Sequence, residues 1–314
     1  MKFENIKKSK EFSKEKINAI KKEFKDSINN KNISIITTGS FARDEANELS
    51  DLDIFIIVKN NTNELLFEEK EKISQIVSKH IPKNVGDSGT FGIEAIETIE
   101  NLLINLGGNK DDNAKFTRRM LFLLESKSLY NEEVYNDAKN RLIDRYVDIS
   151  ITDDQLTRFL LNDFIRYYRT ITTDFEYKVS EAGKSWGLRN IKLTFSRKIL
   201  YFAGVLAVAE TYQKKREDKI ETLQNLLELS PIERIEKICK DEGEKALCLY
   251  DEFLSKISNN SIREILEKVQ RERRKEYTEY VELKNISKEF SKELQNIVEK
   301  TFDKSHPIHN ALLF

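Results

Sequence analysis

The strongest constraint on the fold is a pair of short β-branched runs on either side of a glycine-serine turn. The first run, ISIIT, covers residues 33–37, and the second, LDIFIIV, covers residues 52–58. Both are bounded by Asn, Gly or Ser, which is the pattern typical of strands. The second strand opens with carboxylates at Asp51 and Asp53. An unpaired carboxylate out of water is costly, so the sequence predicts a positive partner opposite them.

Alternation on a strand places these two carboxylates together. Successive side chains point to opposite faces, so Asp51 and Asp53 share one face. Like charges that close raise each other's pKa unless a cation lies between them. Ligands that are all oxygen suit Mg²⁺ or Mn²⁺. We therefore expect Asp51 and Asp53 to bind one of these metals.

The glycine-serine turn completes the predicted site. Gly39 and Ser40 follow the first strand and open a short helix over residues 41–43. Glycine lets the backbone approach a phosphate, and free N–H groups at a helix start favour anions. We expect Gly39 and Ser40 to bind phosphate, with Arg43 as a further nucleotide-binding candidate. A loop with ordinary Ser and Asp capping is the alternative, but Asp53 lies inside an apolar run, which argues against it.

Helical periodicity dominates the rest of the chain. Helices are predicted at residues 5–28 and 64–79, and a third strand at 90–95. After residue 108 the pattern is almost wholly helical, over residues 114–125, 132–146, 153–178, 190–215, 232–240 and 245–257, with one long charged helix at 261–301. This pattern predicts an α+β fold, in which a small domain over residues 1–110 precedes an all-helical bundle domain over residues 111–314.

Composition limits the classes of function. The 53 basic and 54 acidic residues leave a net charge of -1, so no global field attracts nucleic acid. Cys239 and Cys248 fit neither a disulfide framework nor a paired metal motif, and both are predicted to be helix core residues. The amino terminus lacks a signal-peptide core, and no apolar run reaches about 18 residues. We expect a cytoplasmic protein without membrane insertion.

The order strand, Gly-Ser, ten residues, then Asp-hydrophobic-Asp on the next strand resembles the DNA polymerase β-like nucleotidyltransferase superfamily. The resemblance implies a small mixed sheet flanked by helices and two Mg²⁺ ions. It also implies attack of a hydroxyl on the α-phosphate of a nucleoside triphosphate (NTP or dNTP), with release of pyrophosphate. The family adds a third carboxylate within a hydrophobic-acid-hydrophobic triplet. Glu94 fits this catalytic and metal-binding role, with Glu97 and Asp87 as rivals.

The helical half offers further nucleotide-binding candidates. Arg189, Lys192 and Ser196 recur at helical spacing. In relatives with a helical second domain, a Lys and a Ser hold the β- and γ-phosphates, and Lys192 with Ser196 is similar in kind. Lysine and arginine suit phosphates because their hydrogen bonds are charge-assisted. Arg118 and Arg119 either reach the cleft or serve in helix capping or surface pairing.

The resemblance leaves the acceptor open: a protein hydroxyl, an RNA end or another nucleotide, giving a signalling nucleotide or short oligomer. By analogy only, this two-domain size fits bacterial regulation or antiviral defence, with a partner effector or antitoxin protein and self-association as open expectations. A ribonuclease would need an Arg followed closely by His, and none of the three histidines is so placed. A nucleotide-binding module that has lost turnover is the remaining alternative.

Overall fold

The chain forms two compact units. A computed structural model describes residues 2–61, 67–81, 91–181, 183 and 185–312. Lys8–Asp148 make an α/β unit, and Met1–Lys7 with Ile149–Phe314 make a helical unit. The sequence placed the boundary at residue 110. The α/β unit reaches Asp148 because the strand Lys127–Tyr130, absent from the sequence prediction, pairs with the first strand of the sheet.

The α/β unit alternates helices and short strands. In chain order its elements are α1 (Glu4–Ser27), β1 (Ile33–Thr38), α2 (Gly39–Ala42), β2 (Asp53–Val58), α3 (Phe67–His80), β3 (Ile96–Thr98), α4 (Ile99–Leu103), α5 (Asn113–Leu124), β4 (Lys127–Tyr130) and α6 (Glu132–Tyr146). The sheet order is β3-β2-β1-β4. β1 is antiparallel to β2 and to β4, whereas β2 and β3 are parallel. The predicted mixed sheet and α+β class are confirmed.

Alternation along β2 separates two apolar layers. Ile54 and Ile56 belong to a core that also contains Phe24 of α1 and Ile73 of α3. On the opposite face, the ring of Phe55 meets that of Phe122 of α5 edge-on, with centroids 6.0 Å apart. Because successive residues point to opposite faces, Asp53 lies on the Phe55 side, at the first residue of the strand.

The helical unit consists of helices α7 to α15 and their connections. They are α7 (Arg158–Ser180), α8 (Trp186–Lys192), α9 (Lys198–Ala209), α10 (Arg216–Leu227), α11 (Pro231–Cys239), α12 (Glu244–Ser258), α13 (Asn260–Lys268), α14 (Thr278–Thr301) and α15 (Ile308–Ala311). A π-helical turn, Leu193–Arg197, joins α8 directly to α9. In the part of the chain described, no helix is both long enough and apolar enough to cross a membrane.

Several predicted elements differ from those in the structure. The predicted helix over residues 261–301 is wrong, since α13 ends at Lys268 and α14 begins at Thr278. The break has a partner: the buried Val269 accepts a hydrogen bond at its carbonyl from the Gly187 N–H (3.2 Å). The helix over residues 190–215 is interrupted by the π-turn, and α10 was missed. Cys239 is buried as predicted, but Cys248 is exposed.

Candidate active site

The centre of the candidate site is the contact between Gly39 and Asp53. Gly39 has a φ of +72°, and a Cβ there would lie 2.6 Å from Asp53 Oδ2. Register brings the two strands together at this point, because Thr38 pairs with Asp53 across β1 and β2. The turn therefore needs glycine twice, for its left-handed backbone and for the space that the carboxylate fills. The predicted meeting of the glycine-serine turn with Asp53 is present.

Two further groups beside this contact are available to a ligand. Asp51 is exposed and has no hydrogen-bond or ion-pair partner among the described residues. Leu52, between the carboxylates, is buried in the same core as Ile54, so the alternation begins before β2. The hydroxyl of Thr38 is buried without a partner in the described chain, although buried polar atoms are normally hydrogen-bonded. A cross-strand partner shares a face with its neighbour, so this hydroxyl lies on the Asp53 side.

Ser40 and Gly39 divide the tasks expected of the turn. Ser40 is partly exposed, and its hydroxyl has no partner within the described residues. The N–H of Gly39 is already used, because it donates to Glu125 Oε1 at 3.1 Å. The hydroxyl of Ser40 is thus open to a phosphate oxygen, whereas the Gly39 N–H is not. Gly39 contributes space and backbone shape.

A buried cluster of charged residues holds the glycine-serine turn in place. Glu125 follows the last residue of α5, and its side chain is fully buried. Its second oxygen pairs with Arg43, whose Nε donates to Glu45 Oε2 at 3.0 Å. Next to this group, Lys127 pairs with Asp44. Arg43, predicted to bind nucleotide, is placed inside the unit on two carboxylates, so it holds the turn in shape.

Glu125 is the residue that sequence reasoning missed. Its signal is a charged residue directly after the apolar run Leu121–Leu124, all of which is buried. Only the pairing of β4 with β1 brings Glu125 to the turn, and that pairing rests on a four-residue strand.

Comparison with known families supports this geometry. Residues 17–102 match the family model of the nucleotidyltransferase domain. These residues form a polymerase β-like nucleotidyltransferase domain. The match includes β1, β2 and β3 and both halves of the candidate site, and it stops before α5. No curated protein matches the chain. The family indicates a transferase with a nucleotide substrate.

Glu94, predicted to be the third carboxylate on the third strand, lies outside that strand in the structure. β3 begins at Ile96, so Glu94 precedes the strand, in a turn where the Ala95 N–H donates to the Gly92 carbonyl (3.0 Å). The Glu94 side chain is 82% exposed and pairs with Lys70 of α3 at 2.7 Å. α3 packs on the Ile54 face of the sheet, opposite to Asp53. Asp87 lies outside the described residues.

Glu97, the other rival, is on the correct face but far along the strand. Glu97 pairs with Ile57 of β2 in the parallel register. Ile57 is four residues after Asp53, which corresponds to about 13 Å along the strand. Its carboxylate is nearly buried and paired with Arg118. Burial raises the pKa of Glu97, against the opposing effect of Arg118 and Lys115. Nowhere in the described residues do three His, Cys, Asp or Glu side chains form a metal-binding group.

The remaining nucleotide-binding candidates lie in the helical unit. Arg189 and Lys192 are partly exposed on α8. Ser196 is buried on the π-turn, where its hydroxyl accepts a hydrogen bond from the Tyr250 hydroxyl at 3.3 Å. A role in phosphate binding stays a prediction for all three. In the α/β unit, Arg119 is a structural residue, buried on both oxygens of Asp111 at 2.8 and 2.7 Å.

Proposed function

We propose that this chain is an Mg²⁺-dependent nucleotidyltransferase. It moves a nucleoside monophosphate from a nucleoside triphosphate to an acceptor hydroxyl and releases pyrophosphate. The observation that carries the proposal is the packing of the Gly39 backbone against the Asp53 carboxylate, in residues that match the nucleotidyltransferase family. That contact places the Asp53 carboxylate directly against the backbone of the glycine-serine turn.

The residues present fit a divalent cation. Asp51 and Asp53 would hold Mg²⁺ or Mn²⁺, because both are oxygen ligands and Asp51 has no partner in the described chain. The buried hydroxyl of Thr38, orphaned within the described residues, is a further polar atom that a ligand or its water would satisfy. When bound, the cation neutralises charge on the phosphates and stabilises the leaving oxygen.

The chain's own residues orient the nucleotide. The Ser40 hydroxyl donates to a phosphate oxygen, and the absence of a side chain at Gly39 lets the Asp53 carboxylate lie beside the turn. The acceptor oxygen forms a bond to the α-phosphorus while the bond from that phosphorus to the pyrophosphate oxygen breaks. The electron pair leaves with pyrophosphate, and the acceptor proton passes to solvent. Positioning and charge supply most of the catalysis in such transfers.

A labelling experiment tests the proposal. The protein is incubated with each α-³²P-labelled triphosphate and Mg²⁺ or Mn²⁺, alone and with cell RNA, protein extract or unlabelled nucleotides. Pyrophosphate release and the labelled product are measured. We expect transfer that falls by at least about 100-fold in Asp53→Asn, because the carboxylate supplies several kcal/mol through the cation. Asp51→Asn should fall in the same direction.

Asp26→Asn is the matched control, since Asp26 is exposed in the same unit and has no partner within the described chain. Its activity should equal that of the wild type. If no triphosphate and acceptor gave metal-dependent release of pyrophosphate, the proposed nucleotidyltransferase activity would be contradicted.

A nucleotide-binding module without turnover is the second candidate, and a specific observation favours it. Both described rivals for the third carboxylate are engaged with cations, Glu94 with Lys70 and Glu97 with Arg118. Within the part of the chain that the structure describes, a second metal would therefore lack one of its ligands. Metal-dependent binding of triphosphate without pyrophosphate release would identify this module, whose output would be contact with a partner effector or antitoxin protein.

A further inference from the structure

Lysines from two segments of the helical unit donate hydrogen bonds to uncharged side-chain oxygens. On α14, Lys284, Lys288 and Ser291 follow at spacings of four and three, so they share one helix face. Lys198 Nζ, at the start of α9, donates to Ser291 Oγ at 2.6 Å. Lys284 Nζ donates to Asn190 Oδ1 of α8 at 3.2 Å. Two ammonium groups are thus held where α14 faces the α8–α9 segment.

These charges have no acidic counterpart. In the described chain, neither Lys198 nor Lys284 has a carboxylate partner. Burial lowers the pKa of both lysines, and Lys198, Lys288 and Arg274 lower that of Lys284 further by repulsion. Nearby acids of α14 are engaged elsewhere, since Glu282 pairs with Lys256 (2.9 Å) and Glu289 with Lys245 (3.3 Å). Gathered cations of this kind favour an anion between them.

The surroundings add hydrogen-bond donors. The Tyr280 hydroxyl donates to Asn190 Oδ1 at 2.9 Å, and burial raises the pKa of Tyr280 to about 12, so the hydroxyl keeps its proton. The Trp186 ring lies 5.3 Å from that of Tyr280. The buried indole N–H has no acceptor among the described residues. This one donor without an acceptor, together with the two ammonium groups, points to a ligand that brings oxygen atoms.

We propose that Lys198, Lys284 and Lys288, with Arg274, form a lysine cluster that binds an oligophosphate without a divalent metal. Two sources share this chemistry: the polyphosphate chain of a nucleotide and free inorganic tripolyphosphate. Lys284 and Lys288 are four residues apart on α14, so their Cβ atoms lie about 5–6 Å from each other, a spacing that suits a chain of phosphates more than a single small anion. Ammonium groups bind phosphates as compact point charges. The cluster belongs wholly to the helical unit, so it does not rest on the proposed function.

Equilibrium dialysis with tripolyphosphate, in EDTA, tests the cluster in the full-length chain. The fluorescence of Trp186, the one tryptophan of the sequence, gives a second readout from beside Tyr280. We expect saturable binding in the wild type. Lys198→Gln and Lys284→Gln should each weaken it by at least about tenfold, the loss of one charge-assisted hydrogen bond. Lys284→Arg keeps the charge and should restore most of the affinity.

Lys304→Gln is the charge-matched control, because Lys304 is exposed beyond the end of α14. It should bind as the wild type does. Equal weakening in Lys304→Gln, or no saturable binding in the wild type, would overturn the proposal. Thermal unfolding of each variant shows whether it is folded, and Lys284→Arg separates loss of charge from loss of fold.

Comparison of ligands identifies the source. Tighter binding of ATP than of tripolyphosphate in EDTA would assign the site to a nucleotide. Tighter binding of tripolyphosphate would assign it to the free oligophosphate. Adenosine should not bind, and equal binding of adenosine and ATP would overturn the proposal, since it would place the affinity in the base. The assay needs no transfer, so an inactive enzyme would not affect it.

Discussion

At position 39 a side chain has neither a relaxed backbone nor space. We expect Gly39→Ala to lower the free energy of unfolding more than Gly107→Ala does, by roughly 1–3 kcal/mol, because the new methyl group meets Asp53. Gly107 has nearly the same φ, +73°, but nothing lies within 4 Å of a Cβ there. It therefore isolates the backbone strain. Urea denaturation measures both variants, and equal losses would show that Asp53 does not fill the space beside Gly39.

The raised pKa of Glu97 predicts how the stability of the protein changes with pH. Its folded pKa is raised from 4.5, so the folded protein holds this proton more tightly than the unfolded chain does. The stabilisation is full below pH 4.5 and is lost as the pH rises through the folded pKa. The difference in unfolding free energy, wild type minus Glu97→Gln, should therefore decrease as the pH rises from 4.5. A constant difference would show that Arg118 fully offsets the burial.

At the scale of elements, the glycine-serine turn depends on α5 and β4. Glu125→Gln keeps an acceptor for the Gly39 N–H but removes the charge that faces Arg43. We expect the free energy of unfolding to fall by about 1.5–3 kcal/mol, the range for hydrogen bonds to charged groups. Chemical denaturation of Glu125→Gln measures this loss.

A double-mutant cycle separates the ion pair from simple loss of packing. Arg43→Leu with Glu125→Leu should lose less than the two single changes together, because neither charge is then left buried alone. Strict additivity of the single changes would mean that the two side chains do not act as a pair.

Local sequence patterns predicted the helices and strands whose hydrophobic period is regular. They failed for elements whose formation depends on contacts with distant parts of the chain. β1, β2 and α6 follow from β-branched runs and from amphipathic spacing over 15 residues. β4 was missed because KSLY is four residues long and is fixed by pairing with β1. Glu94 was assigned to a strand that actually begins two residues later. Ser196 was placed with Lys192 by counting 3.6 residues per turn, a period that the π-turn does not keep.

At the scale of the whole chain, the two cysteines report on the helical unit differently. Cys248 is exposed, whereas burial raises the pKa of Cys239 to about 12. A thiol reagent reacts with the thiolate. At pH 8 we expect labelling of Cys248 within minutes and protection of Cys239 until denaturant opens the unit. Mass spectrometry of the labelled peptides measures both, and rapid native labelling of Cys239 would contradict its burial.

The net charge of the chain gives no indication of the lysine cluster, because folding brings its members together. The net charge of -1 excludes a global field, and the sequence offered no reason to single out Lys198 or Lys284. They lie 86 positions apart, and packing of α14 beside the α8–α9 segment gives each of them an acceptor on the other element. By contrast, Gly39 and Asp53 are 14 positions apart on adjoining elements, which is why a short motif was enough to find them.

The π-turn between α8 and α9 changes the direction, around the helix axis, in which the following side chains point. Its hydrogen bonds close one residue later than those of an α-helix, so everything after it is rotated relative to everything before. If the same residues followed an α-helical path, Lys198 would lie further around the axis, by roughly the 100° that one residue covers in an α-helix, and would no longer point at Ser291. The π-turn thus decides whether the first residue of α9 points at α14.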